Sequence, residues 1–270
     1  MHGIDAKDAD MRKGICLCGG ANTRLYPVSK YVPKSFCPVY DKPLIYYPLY
    51  TLMSMGIRDI LFISTPEATP IIEKNLGNGN EYGCNFQYIV QDTPNGIAQA
   101  FVLGEKFIGD SRVCLILGDN IFYGSQCYDS FKAACKSHNN TIFGYQVSDP
   151  ERYGVVEFDD NNNVISIEEK PEKPKSTYAI TGIYFYNNDV IDIAKHLTPS
   201  KRCEYEITDV NKEYMRRREL KVERLGVGNA YLDTGTFNGL NDASNFVRTI
   251  EERTGVKVND IEQFKLSSII

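Results

Sequence analysis

The run Val113–Leu117 (VCLIL) is apolar without a break and ends in Gly118-Asp119-Asn120. A strand alternates its side chains between two faces, so this one is apolar on both and must be covered on both. The chain supplies the cover. Strand-like runs at 14–18, 59–64, 86–90 and 141–147 alternate with helical patterns at 43–55, 70–76, 97–107 and 128–137. In the helix at 70–76, Thr69 reads as the N-cap and Pro70 as the first helical residue. This order predicts a parallel sheet with helices on both faces, an α/β class.

After residue 150 the pattern changes. Runs at 154–158 and 164–168 flank DDNNN, a turn-forming cluster, and read as a hairpin. A strand follows at 180–186, helices at 189–196 and 207–218, short strands at 221–225 and 230–232, and a long helix at 237–254. Repeats and low-complexity tracts are absent from the sequence, so one compact unit with two lobes is expected.

Composition excludes several classes. The net charge is −5, which gives no global field for nucleic acid. No apolar run approaches the roughly 18 residues of a membrane span. The first residues, MHGIDAKDADMRK, lack the apolar middle of a signal peptide, so a cytoplasmic protein is expected. Eight cysteines form neither a CxxC pair nor a zinc-spaced cluster. Cys16 and Cys18 are read as pointing to opposite faces of one strand, and reduced thiols are expected throughout. His2, His138 and His196 lie outside any motif, and histidine catalysis needs a positioned partner, so none is expected to do chemistry.

Ligands of open parallel sheets bind beyond the carboxyl ends of the strands. Two polar stretches fall there, GGANTR after the first strand and GDN after VCLIL. Gly19 and Gly20 let backbone N–H groups turn toward an anion, and Arg24 adds a planar fork suited to phosphate. The stretch fits neither GxxxxGK[ST] nor GxGxxG, and alone it also reads as a plain turn. Asp119 meets the ligand crevice, and Asp233 in YLDTG closes another strand before a glycine turn. Two carboxylates plus phosphate oxygens suit Mg²⁺, although Asp119 also fits an Asp-Asn turn. Lys34, between prolines, and Lys170, in EEKP, are further cations, and either alone also reads as a solvated charge. Together these groups suit in-line displacement at phosphorus, which needs no covalent nucleophile when the attacker is already an anion.

These residues resemble the sugar-1-phosphate nucleotidyltransferase family, in its thymidylyl-transferring branch that leads to dTDP-rhamnose. The likeness runs over residues 13–254 and is carried by GGANTRLYPVSKYVPK, PVYDKPLIYYPL, VQDTPNGIAQAF, LGDNIFYG, DPERYGVVEF, EEKP, EYEITDVN and YLDTGT. The resemblance implies a Rossmann-like three-layer fold with a mixed, mainly parallel sheet and a smaller sugar-binding lobe. It implies one domain over 1–270: a polar tail at 1–12, a mainly nucleotide-binding lobe at 13–150, a mainly sugar-phosphate lobe at 151–235, and a C-terminal helix and tail at 236–270. The implied reaction is dTTP plus glucose 1-phosphate giving dTDP-glucose and pyrophosphate. UTP as the nucleotide, or a silent nucleotide-sugar-binding homologue, are the alternatives.

The resemblance also implies residue roles. Arg24, Lys34, Asp119 and Lys170 carry catalysis. Gly19, Gly20, Ala21, Asn22 and Thr23 wrap the triphosphate, while Gln91 and Gly96 read the base. Tyr153, Gly154, Glu169, Lys170 and Thr181 hold the sugar phosphate, and Asp119 and Asp233 hold Mg²⁺. A homo-oligomer, dimer or tetramer, is implied, with no nucleic-acid or membrane partner. The likeness is to the short form, without the helical tail that in long members forms subunit contacts and an effector site.

Four positions depart from the family pattern. GGANTRL stands where GGxGTRL is usual, Ser35 where Gln or Glu is usual, Cys203 replaces a glycine, and Tyr231 stands where tryptophan is common. Asparagine is the non-glycine residue that best tolerates a positive φ. Asn22→Gly is therefore expected to retain or raise pyrophosphate release; a large loss would show that the amide has a role of its own.

Overall fold

The computed structural model describes residues 12–20 and 23–265. Its strands are β1 (Lys13–Leu17), β2 (Pro38–Val39), β3 (Lys42–Pro43), β4 (Asp59–Ser64), β5 (Asn85–Val90), β6 (Val113–Leu117), β7 (Asn120–Tyr123), β8 (Asn140–Gln146), β9 (Gly154–Phe158), β10 (Val164–Glu169), β11 (Tyr178–Tyr186), β12 (Leu220–Leu225) and β13 (Ala230–Asp233). The helices are α1 (Tyr46–Ser54), α2 (Thr69–Leu76), α3 (Gln99–Leu103), α4 (Glu105–Ile108), α5 (Ser125–Lys136), α6 (Val190–His196), α7 (Ile207–Arg217) and α8 (Phe237–Thr254). The main sheet is mixed, with strand order β10-β9-β11-β6-β1-β4-β5 and β8 joined to β11 and β12. The chain divides into two compact units.

One unit comprises Lys13–Pro94, Leu115–Lys132 and Gly228–Ile270. Its β1, β4 and β5 pair in parallel, with Ile15 beside Leu61 and Leu61 beside Gln87. Ile15, Cys16, Ile60, Leu61 and Ile63 are wholly buried, as strands covered on both faces require. A second apolar cluster joins Val39, Leu44, Tyr47 and Ile121 to Ala243 and Val247 of α8. Thr236 caps α8 by accepting from the Gly239 N–H at 3.1 Å, and Gly255, at φ 70°, closes it.

The other unit comprises Met1–Arg12, Asn95–Cys114 and Ala133–Val227, of which residues 1–11 lie outside the described residues. Here β8 pairs antiparallel with β11 and parallel with β12, while β9 and β10 form the expected hairpin. The antiparallel partner of β8 is β11, a strand of the second half, where the sequence pattern changes. Arg12, 2% exposed, sits among carbonyls at the end of α5 and donates to Cys135, Ser137, Asn139, Val113 and Tyr186, the last at 2.5 Å. Burial first, and Arg112 second, push its guanidinium down to about 10, so it stays charged at neutral pH.

Other expectations change locally. The helix expected at 97–107 is two, α3 and α4, because Gly104 sits between them outside helical geometry (φ −82°, ψ 1°). Thr69 is not the N-cap of α2; Ala68 is, and the Thr69 hydroxyl donates to the Thr65 carbonyl at 2.8 Å. The Cys16 and Cys18 sulfurs lie 3.5 Å apart, which corrects the opposite-face reading. A two-residue step along a strand returns to the same face. Strand β7 was not expected at all, since GDN reads as a turn.

Arg12→Leu leaves several buried carbonyls without their donor. We expect it to cost about 3 kcal/mol or more in urea unfolding; a loss under about 1 kcal/mol would contradict the role assigned to the guanidinium.

Candidate active site

Two carboxylates distant in sequence are brought together by a short ladder. Strands β7 and β13 pair antiparallel with Asp233 opposite Asn120. The Thr234 N–H and hydroxyl both donate to the Asp119 carbonyl, at 3.0 and 2.8 Å. Asp119 precedes one strand and Asp233 ends the other, so the two meet at one edge. Lys34 reaches them from a single tight turn, Lys34–Phe36, entered through Pro33. Its ammonium forms an ion pair with Asp119 Oδ2, and 11% of its side chain is exposed. Asp119 Oδ1 accepts from Asn120 Nδ2 at 3.0 Å, and Asp233 Oδ1 accepts from the Gly235 N–H at 2.9 Å. Burial raises the Asp233 carboxyl above its ordinary range, and the Asp119 charge raises it further. Lys34, the Gly235 N–H and Arg24 oppose that rise.

A cavity of about 250 Å³ opens beside them, walled by Gly19, Gly20, Thr23, Arg24, Leu25, Lys34, Asp119 and Gly235. The end of β1 builds its floor. The Gly118 N–H donates to the Leu17 carbonyl at 2.8 Å, and a Cβ on Gly118 would lie 2.8 Å from Cys18 Sγ. Gly20 has φ 142°, a conformation that side chains avoid. The Gly19 backbone packs on the buried Gln91 side chain, where a Cβ would come within 2.8 Å of Oε1. A Cβ on Gly235 would lie 2.9 Å from Asp233 Oδ1 and 3.1 Å from Arg24 Nη2. That glycine leaves room for carboxylate and guanidinium together. Ala21 and Asn22 lie outside the described residues.

In the other unit, Gly154 and Glu169 face each other across the β9–β10 ladder, and the Lys170 N–H donates to the Tyr153 carbonyl at 3.0 Å. Lys170 takes φ 40°, a left-handed conformation unusual for a residue with a side chain. Glu169 collects three partners: the Thr208 hydroxyl, Arg202 Nη1 at 3.4 Å and Lys170 Nζ at 3.8 Å. A Cβ on Gly154 would lie 3.2 Å from Thr208 Oγ1, so a larger residue would press on this group. Thr181 is wholly buried and its hydroxyl has no hydrogen-bond partner among the described residues. Gly96, at φ 105°, packs on the backbone of Tyr205, whose N–H donates to the Asn95 carbonyl at 2.6 Å.

The structure thus gathers Gly19, Gly20, Thr23, Arg24, Lys34, Gln91, Asp119 and Asp233 in one unit. Gly96, Tyr153, Gly154, Glu169, Lys170 and Thr181 fall in the other. Sequence reasoning missed Arg202, Thr208 and Glu206. Glu206 is 7% exposed and accepts from Ser200 Oγ at 2.7 Å; burial first, then Glu169 and Glu204, push its carboxyl up. The available signal was the density of charge in SKRCEYEITD, too generic to separate a site from a solvated loop.

Among the described residues no three His, Cys, Asp or Glu side chains are grouped to cage a metal. Two carboxylates beside a cavity walled by glycine and cations fit a hard divalent ion that completes its shell with phosphate oxygens. No helix among the described residues is long and apolar enough to cross a membrane.

An α/β fold with a glycine turn, an arginine and a lysine around a cavity at the strand ends is the arrangement of a nucleotide-handling class. The family described as nucleotidyl transferase matches residues 13–250, and the chain belongs to it. The glucose-1-phosphate thymidylyltransferase of Neisseria gonorrhoeae is 52% identical over 252 residues, 93% of this chain and 88% of its own. That of Mycobacterium tuberculosis (strain H37Rv) is 52% identical over 251 residues, 93% and 87%. Among solved structures, a candidate glucose-1-phosphate thymidylyltransferase of Bacillus anthracis, crystallised with sucrose, superposes with a TM-score of 0.82 at 38% identity, covering 93% of this chain and 99% of that one.

The raised Asp233 carboxyl has a consequence for stability. A folded-state acid shifted upward holds its proton more tightly than the unfolded chain. Its contribution is intact below the ordinary value of 3.8 and is lost as pH climbs through the raised one. Asp233→Asn should therefore raise the melting temperature of the metal-free protein at pH 7.5, and the gain should fade at pH values below 3.8. A lower melting temperature at pH 7.5 would contradict the electrostatic account.

Proposed function

We propose that this chain transfers a thymidylyl group from dTTP to glucose 1-phosphate, giving dTDP-glucose and pyrophosphate. One observation carries the reading: Asp119, Lys34 and Arg24 line one glycine-walled cavity, with Asp233 brought beside Asp119 by the β7–β13 ladder, in a chain half identical to glucose-1-phosphate thymidylyltransferases.

On this reading Gly19, Gly20 and Thr23, with Ala21 and Asn22 between them, wrap the triphosphate, and Arg24 neutralises it. Gln91 and Gly96 read the pyrimidine. Tyr153, Gly154, Glu169 and Thr181 hold the sugar, with the buried Thr181 hydroxyl left without a hydrogen-bond partner among the described residues. Lys170 and Arg202 hold its phosphate. A phosphate oxygen of the sugar substrate attacks the α-phosphorus. The new P–O bond forms as the bond from the α-phosphorus to the bridging oxygen breaks, and the electron pair leaves with pyrophosphate. The attacker is already an anion, so no general base is required. Arg24 and Lys34 offset charge on the five-coordinate phosphorus and on the leaving group. Asp119 and Asp233 would hold Mg²⁺, which when bound supplies further charge neutralisation to the phosphate oxygens. We propose a cytoplasmic homo-oligomer, the cytoplasm being where dTTP and glucose 1-phosphate would reach it.

The test is pyrophosphate release with Mg²⁺, glucose 1-phosphate and each of dTTP, UTP, ATP, CTP and GTP. We expect release with dTTP, weaker release with UTP, and none without the sugar phosphate. One missing methyl gives only modest discrimination in an apolar pocket. Asp119→Asn should lower turnover about a hundredfold or more with the fold intact. UTP preferred over dTTP would make the enzyme a uridylyltransferase. Silence across the panel would favour a binding-only homologue.

A further inference from the structure

Both oxygens of Asp119 are engaged. Oδ1 accepts from the Asn120 side chain at 3.0 Å, a neutral contact within one strand end. Oδ2 carries the Lys34 ammonium. A divalent ion entering between Asp119 and Asp233 would compete for this same carboxylate, and two cations at one carboxylate oxygen repel strongly where water is scarce.

The backbone under Lys34 is fixed. The Phe36 N–H donates to the Pro33 carbonyl at 2.8 Å, and the Cys37 N–H to the Lys34 carbonyl at 3.0 Å. The Ile45 N–H donates to the carbonyl of the buried Ser35 at 2.9 Å. The Lys34 Cα is therefore pinned, while its four-carbon stem can swing. The ammonium lines the same cavity as Gly19, Gly20 and Arg24, so a triphosphate lodged there lies within its reach. Phosphate oxygens offer it a second anionic partner.

We propose that Lys34 is the resident counter-cation of the carboxylate pair, and that it excludes the divalent ion until nucleotide phosphates draw it off Asp119. Lys34 thereby sets the order of loading: the metal enters with the nucleotide and not before it. This rests on the proposed metal role of Asp119 and Asp233.

Binding of Mn²⁺ alone, read by the electron paramagnetic resonance signal of the free ion, tests it without turnover. The native protein, Lys34→Met, Asp119→Asn and the Lys34→Met/Asp119→Asn double variant are titrated with no nucleotide present. Circular dichroism checks each fold, and Lys34→Gln is titrated in the same way should the methionine variant fail to fold. We expect Lys34→Met to bind one Mn²⁺ at least about tenfold more tightly than the native protein, and the double variant to lose that site. Binding by Lys34→Met no tighter than native would overturn the proposal. If the native protein then binds Mn²⁺ in a way that Asp119→Asn abolishes, the metal reading survives and only the exclusion by Lys34 falls. If the double variant keeps the tight site gained by Lys34→Met, the ion does not sit on Asp119, and the metal reading falls together with the proposal.

Discussion

Repulsion between two half-buried carboxylates organises the unit that holds Asp119 and Asp233. The β7–β13 ladder forces Asp233 to the same edge as Asp119, and the bonds from Thr234 to the Asp119 carbonyl lock that approach. Burial first, and the Asp119 charge second, push the Asp233 carboxyl above its ordinary range. The neighbouring parts each offset some of this charge. Lys34 sits on Asp119, Arg24 lies beside Asp233, and Gly235 contributes both an N–H and the space for them. A site so arranged sets two cations against two carboxylates and turns Arg24 and Lys34 toward the glycine-walled cavity. Both properties serve a reaction whose catalysis is mostly positioning and charge neutralisation.

The other unit solves a different problem with the same elements. Its acids, Glu169, Glu204 and Glu206, gather around one guanidinium, Arg202. Glu169 also accepts from the Thr208 hydroxyl at the start of α7, beside a glycine that leaves it room. The left-handed Lys170 is held at the end of β10 by its bond to the Tyr153 carbonyl. On the function proposed above, carboxylates that accept hydrogen bonds suit a polyhydroxylated ligand, and the adjoining cations suit its phosphate.

Much of this was legible in the sequence, for identifiable reasons. VCLIL had to be a doubly covered strand, which put Asp119 at its carboxyl end. The glycines and Arg24 alone also read as a plain turn, and only together with Lys34, Asp119, Lys170 and Asp233 did they point to phosphate chemistry. What escaped was long-range pairing. NIFY is too short and too close to a turn to announce β7, and without β7 nothing in the chain places Asp233 beside Asp119. Arg202 and Glu206 escaped because charge in a polar loop carries no periodicity. The reading of Cys16 and Cys18 failed on strand geometry alone, since alternate residues share a face.

Anomalous scattering from Mn²⁺ in crystals grown with dTTP would show where metal and phosphate bind. One peak is expected at metal–oxygen bonding distance from both Asp119 and Asp233, with triphosphate oxygens completing the shell and the Lys34 ammonium moved from Asp119 to phosphate. A triphosphate bound away from the Gly19–Gly20 turn, or a metal peak touching neither carboxylate, would contradict that expectation.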